Sequence, residues 1–149
     1  MNTVVSTLIQ WNTLGSGITE LTVPSTSLND ASLTVLDLTR FKRLKRIVIG
    51  DECFMYVEEV KLIGLSKLES VEIGKNSFTK YKNGFGENPN RHFYLKNCPK
   101  LKSLKMGCYS FNDYSVIEIE NVDALEVIEM GAYSFNYASL ELKSILISE

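Results

Sequence analysis

Leu101-Lys-Ser-Leu-Lys-Met-Gly-Cys-Tyr-Ser-Phe111 and Leu125-Glu-Val-Ile-Glu-Met-Gly-Ala-Tyr-Ser-Phe135 decide how this chain is read. They are one pattern, L-x-x-L-x-I-G-x-x-S-F, with Met at the Ile position. Two earlier copies are Leu44-Lys-Arg-Ile-Val-Ile-Gly-Asp-Glu-Cys-Phe54 and Leu68-Glu-Ser-Val-Glu-Ile-Gly-Lys-Asn-Ser-Phe78. A degenerate fifth copy, Ile18-Thr-Glu-Leu-Thr-Val-Pro-Ser-Thr-Ser-Leu28, precedes them. The copies start at residues 18, 44, 68, 101 and 125, so the spacings are 26, 24, 33 and 24. A fixed period of this length marks a repeat architecture, in which each unit buries its apolar face only against its neighbours. The spacing of 33 is 24 plus a nine-residue insertion, which falls within residues 79–91.

Working outward, a second apolar segment follows each corner and alternates with period 2: Leu36/Leu38, Val60/Leu62, Phe93/Leu95, Ile117/Ile119 and Leu140/Leu142. An earlier copy of it is read at Ile9/Trp11. Alternation over so few residues is the mark of short strands, and no window carries a useful helical stripe. Each repeat therefore holds two short strands joined by tight corners. The expectation is a mostly β chain with parallel sheets and little or no helix, forming one domain over residues 1–149. Residues 1–17, with Trp11 and a Gly-Ser-Gly segment, are expected to act as an N-terminal cap.

L-x-x-L-x-I is the strand signature of leucine-rich repeats. The run I-G-x-x-S-F resembles the I-G-x-x-A-F motif of the treponemal, BspA-like class, and Pro24 after Val23 matches a proline that often follows the strand there. The resemblance spans about residues 9–145. It implies a right-handed leucine-rich-repeat solenoid of about five 24-residue coils. It also implies a recognition scaffold, because such repeats serve many unrelated partners.

Stacking puts equivalent residues in columns about 4.8 Å apart. Leu28, Phe54, Phe78, Phe111 and Phe135 are expected to stack inward at one corner. Gly50, Gly74, Gly107 and Gly131 share a column with Pro24, and proline fixes φ near −65°. That favours close backbone approach over a left-handed conformation as the reason for glycine. Ser27, Ser77, Ser110 and Ser134, with Cys53 in register, are expected to bond corner backbone groups. A catalytic Ser or Cys needs a neighbouring base, and the one histidine, His92, lies at a different corner. Cys98 and Cys108 are ten apart with no second pair, short of the four ligands of a structural zinc site. No catalytic residue, cofactor or metal is expected.

The surface offers two candidate patches. The first is the exposed strand face, with one column reading Thr19, Lys45, Glu69, Lys102, Glu126 and another Thr22, Val48, Glu72, Lys105, Glu129. Alternating signs on adjacent strands attract by a fraction of a kcal/mol. The second is the insertion, whose glycines, proline and asparagines mark an irregular loop. Lys80, Tyr81, Lys82, Phe85 and Arg91 are its candidate contacts, joined by Glu72, Lys105 and Glu129 of the strand face. The basic run Phe41–Arg46 is diluted by Glu69 and Glu72, and the net charge is −2 from 16 Lys+Arg against 18 Asp+Glu, so no nucleic-acid footprint is read. No apolar stretch approaches the ~20 residues of a membrane helix.

The primary expectation is non-enzymatic recognition of a protein partner. A structural alternative is end-to-end self-association, as a homodimer, through Leu142, Ile145 and Ile147 at a last coil without a polar cap. A third reading is a carbohydrate or small-ligand module using Tyr109, Tyr114, Tyr133 and Tyr137. The three cysteines, the lack of an Asn-x-Ser/Thr acceptor and the lack of a signal-like N-terminus give an intracellular expectation.

Overall fold

The computed structural model describes residues 2–80, 90–135 and 139–143, the last five through their backbone alone. In chain order the elements are β1 (Asn2–Val4), α1 (Leu8–Asn12), β2 (Glu20–Val23), β3 (Val35–Asp37), β4 (Arg46–Ile49), β5 (Glu59–Ile63), β6 (Ser70–Ile73), β7 (His92–Lys96), β8 (Ser103–Met106), β9 (Val116–Glu120), β10 (Val127–Met130) and β11 (Ser139–Lys143). From β2 onward successive strands go to two different sheets. One is six-stranded, in the order β1-β2-β4-β6-β8-β10; the other is five-stranded, in the order β3-β5-β7-β9-β11. Every pairing is parallel. The chain is thus mostly strand, with one five-residue helix among the described residues.

Register follows the repeat. Leu21, Ile47, Val71, Leu104 and Ile128 pair in one column, and Val23, Ile49, Ile73, Met106 and Met130 in the next. The alternate positions face outward, as the alternation of buried and less buried residues along β2, β5 and β7 records. A one-residue slip would turn each apolar set out to water, so burial itself holds the register. Between the sheets runs one continuous core.

The aromatic column forms as expected. Ring centroids are 5.1 Å apart for Phe54–Phe78, 4.5 Å for Phe78–Phe111 and 4.8 Å for Phe111–Phe135, all nearly parallel. Trp11 closes the column at one end, edge-on to Phe54 at 6.5 Å and tilted against Phe41 at 6.2 Å. The strand expected at Ile9/Trp11 does not form; the segment is α1 instead. A capping box explains it, since Thr7 accepts from the Gln10 backbone while the Gln10 side chain accepts from the Thr7 backbone. Trp11 then turns inward while Ile9 stays 77% exposed.

The corners show why glycine and serine recur. A Cβ built on Gly50 would sit 2.6 Å from the Ser25 backbone nitrogen, and one on Gly107 2.7 Å from that of Lys75. Gly74 and Gly131 meet the preceding repeat in the same way, near Asp51 and Cys108. The left-handed conformation lies elsewhere in the motif, on Glu52, Asn76, Tyr109 and Tyr133 and on Phe54, Phe78, Phe111 and Phe135. Glu52, Asn76 and Tyr109 of the first set turn their N–H groups to the next repeat, as Asn76 N–H does to Cys108 O (3.0 Å). The second turns them back, as Phe78 N–H does to Cys53 O (2.8 Å). Serine joins the layers: Ser77 Oγ donates to Gly50 O (2.8 Å) and accepts from Cys53 N–H (3.1 Å). Ser110 Oγ likewise donates to Gly74 O at 2.6 Å.

Gly107→Ala is expected to lower stability by about 1–3 kcal/mol, because backbone atoms must move to admit the methyl. Gly15→Ala, where nothing lies within 4 Å, is expected not to lower it. Urea denaturation of both variants checks this.

Candidate functional site

On the outer face of the six-stranded sheet, Glu72 pairs with Lys105 in register and Lys105 with Glu129. Lys105 Nζ lies 4.0 Å from Glu129 Oε2, with both side chains well exposed. The flanking column is also in register: Lys45, Glu69, Lys102 and Glu126 each donate a backbone N–H to the preceding member's carbonyl, at 2.7–2.9 Å. Opposite charges thus face each other across the strands. Exposed pairs of this kind contribute at most about 1 kcal/mol each.

The insertion's expected contacts divide. Lys80 is exposed, its ammonium 5.1 Å from the Tyr56 ring centroid. Tyr81, Lys82 and Phe85 lie outside the described residues, as do Ile145, Ile147 and Tyr137. Leu142 lies in β11, paired with Ile119, with its backbone alone described. Arg91 is a correction: it is 0% exposed and offers nothing to a partner. Its side chain turns inward at the start of β7, 3.4 Å from Asp113 Oδ2, and Nη1 donates to Met55 O at 3.2 Å. Among the described residues its Nε and Nη2 have no hydrogen-bond partner.

Around this pair Thr79 Oγ1 donates to Asn112 Oδ1 (2.7 Å) and Tyr114 OH to Val57 O (2.7 Å), all buried. Both feet of the insertion, Thr79 and Arg91, are therefore held by the tripeptide Asn112-Asp113-Tyr114 of the next repeat. Tyr114 is buried too, and so leaves the set of surface tyrosines; Tyr109 and Tyr133 stack near the surface at 5.1 Å. Burial raises the Asp113 carboxyl above its usual range, with the Arg91 charge opposing.

The residues between the apolar positions of the second segments are not among the expected contacts. Those residues form the outer face of the five-stranded sheet. In register they read Val35, Glu59, His92, Val116 and then Asp37, Lys61, Tyr94, Glu118. The His92 and Tyr94 rings lie 5.9 Å apart and nearly parallel, with Tyr94 OH 3.2 Å from His92 Nδ1. Lys96 Nζ stands 5.4 Å from the Tyr94 ring centroid, and 3.5 Å and 3.7 Å from Glu118 and Glu120. Lys61 pairs with Glu59 at 3.2 Å. Burial, then the Glu118 and Glu59 charges, push the Tyr94 hydroxyl above its ordinary pKa.

At the rim where β3, β5 and β7 begin lies a cavity of about 220 Å³, lined by Thr34, Val35, Glu58, Glu59, Asn90 and His92. The signal for this face was the period-2 alternation itself, read for its outward members.

Burial raises the thiols of Cys53 and Cys98, which keeps them protonated and poorly nucleophilic. Among the described residues no three His, Cys, Asp or Glu side chains gather to hold a metal, and no helix is long and apolar enough to cross a membrane. Comparison with family models, with curated proteins and with solved structures gives no match.

Asp113→Ala strands a buried guanidinium and is expected to lower stability by about 3–5 kcal/mol. Replacing both partners, Arg91→Met with Asp113→Leu, is expected to lower it far less or to raise it. In the wild type the folded Asp113 carboxyl titrates above its unfolded value of about 4, so the native state holds the extra proton and stability falls as pH rises through that window. The double variant should lose this slope. Urea denaturation across pH checks all three outcomes.

Proposed function

We propose that the chain is a non-enzymatic recognition scaffold of the leucine-rich-repeat kind, similar to the BspA-like class. In this reading it is a solenoid of about five 24-residue coils that holds a protein partner on an outer sheet face. The five in-register motif copies and the strands alternating between two parallel sheets support the architecture. One observation carries the functional reading: the row His92, Tyr94, Lys96 on the five-stranded sheet, beside the rim cavity and the foot of the insertion. Aromatic rings among mixed charges on a rigid surface favour partner binding, since they contribute contact area at small conformational cost. The self-pairing charges of the six-stranded face fit a role in sheet register, so the proposed interface moves to the five-stranded face.

Affinity capture with the wild-type chain, repeated with variants, tests this. Tyr94→Ala with His92→Ala is expected to weaken a captured partner by about ten-fold or more, the size of one modest hot spot. Glu72→Lys with Glu129→Lys is expected to leave capture within about two-fold, as rim charges do. The opposite pattern would return the interface to the six-stranded face.

A second reading, end-to-end self-association, is favoured by β10. Ile128 and Met130 stand 37% and 36% exposed, while their column neighbours Leu104 and Met106 are 0% and 4% exposed. An edge strand with open core positions is a template for pairing. Light-scattering mass over a concentration series tests it: a rising mass supports this reading, and a constant monomer mass removes it.

A further inference from the structure

We infer that the cavity at the start of β3, β5 and β7 takes a lysine or arginine side chain from a basic segment of the partner; the inference rests on the recognition reading above. The cavity is about 220 Å³, below the usual 300–1,000 Å³ of small-molecule sites and suited to one long side chain. Val35, 44% exposed, gives an apolar wall on which an aliphatic stem can lie. Glu58 lines the cavity, exposed, and among the described residues its carboxylate has no ion-pair or hydrogen-bond partner; Glu59 beside it is already engaged by Lys61. His92 forms the remaining ring wall, stacked on Tyr94, and that same row already holds one ammonium, that of Lys96, over an aromatic face.

Charge complementarity points the same way. The outward positions of β3, β5, β7 and β9 carry four carboxylates (Asp37, Glu59, Glu118, Glu120) against two ammonium groups (Lys61, Lys96), and Glu58 adds a fifth carboxylate at the rim. Such a field draws a basic segment to this face and repels an acidic one. The stem on Val35 and the cationic head on Glu58 would then set the segment's direction across the strands.

The test is a chemical-shift titration of the ¹⁵N-labelled full chain with two peptides, acetyl-(Gly-Arg)4-amide and acetyl-(Gly-Glu)4-amide. The arginine peptide is expected to move the amides of Thr34, Val35, Glu58, Glu59 and His92, and the glutamate peptide to leave them in place. Glu58→Gln, an exposed change that the fold tolerates, is expected to weaken the arginine peptide by about five-fold or more. Shifts confined to the six-stranded face, equal response to both peptides, or unchanged affinity in Glu58→Gln would each overturn the inference. Partner capture that survives Glu58→Gln but fails in Tyr94→Ala would overturn the basic-side-chain assignment and leave recognition standing. Capture that survives both would overturn the two together.

Discussion

At Gly74 a Cβ would run into the backbone of Gly50 and Asp51, and the same exclusion recurs at Gly50, Gly107 and Gly131. This contact sets how closely successive repeats approach at the corner, and the rest of the structure follows from that spacing. With the backbones this close, phenylalanine rings one repeat apart come to 4.5–5.1 Å and stack face to face. The serine hydroxyl can then reach the previous layer, accepting from one backbone N–H there and donating to a carbonyl of the same layer. The corner residues bend into the left-handed region, unfavourable for side chains with a Cβ. The interlayer hydrogen bonds and the buried rings offset that strain. Pro24, in the same column, is exposed and has no earlier G-x-x-S-F corner pressing on it, which is why a ring is tolerated there.

Each sheet presents its outward positions in straight columns, but the columns differ in use. On the six-stranded sheet, charges of opposite sign face each other and largely answer one another. On the five-stranded sheet the pairing is less complete. Two ammonium groups serve four carboxylates, and an imidazole and a phenol stand among them. A surface with unanswered charge and half-buried rings has interaction energy left for a partner. The insertion adds to this side, since Asn90, at its end, lines the same cavity as Glu58 and His92.

The insertion also disturbs the core. Where other repeats place the apolar Leu33 and Val57, the repeat after the insertion places Tyr114; beside it Asp113 is buried and Arg91 turns in to meet it. A buried ion pair with free guanidinium hydrogens is a poor source of net stability. Its effect is positional: it ties the foot of the insertion to the repeats on either side, through Met55 O, Val57 O and Asn112.

The sequence alone determined the period, the inward columns, the parallel two-strand repeat, and the reason for glycine at the corner. All of these are properties that every repeat shares, so the pattern reports them several times over. Tertiary structure decided what happens only once. Arg91 was legible as a loop cation, yet it is buried, because its environment depends on Asp113 twenty-two residues away. Ile9 and Trp11 alternate like a strand, yet a capping box folds them into a helix turned onto Phe41 and Phe54. The candidate site belongs to the same class. Thr34, Glu58 and His92 come from three different repeats, and only the stacking of those repeats gathers them around one cavity.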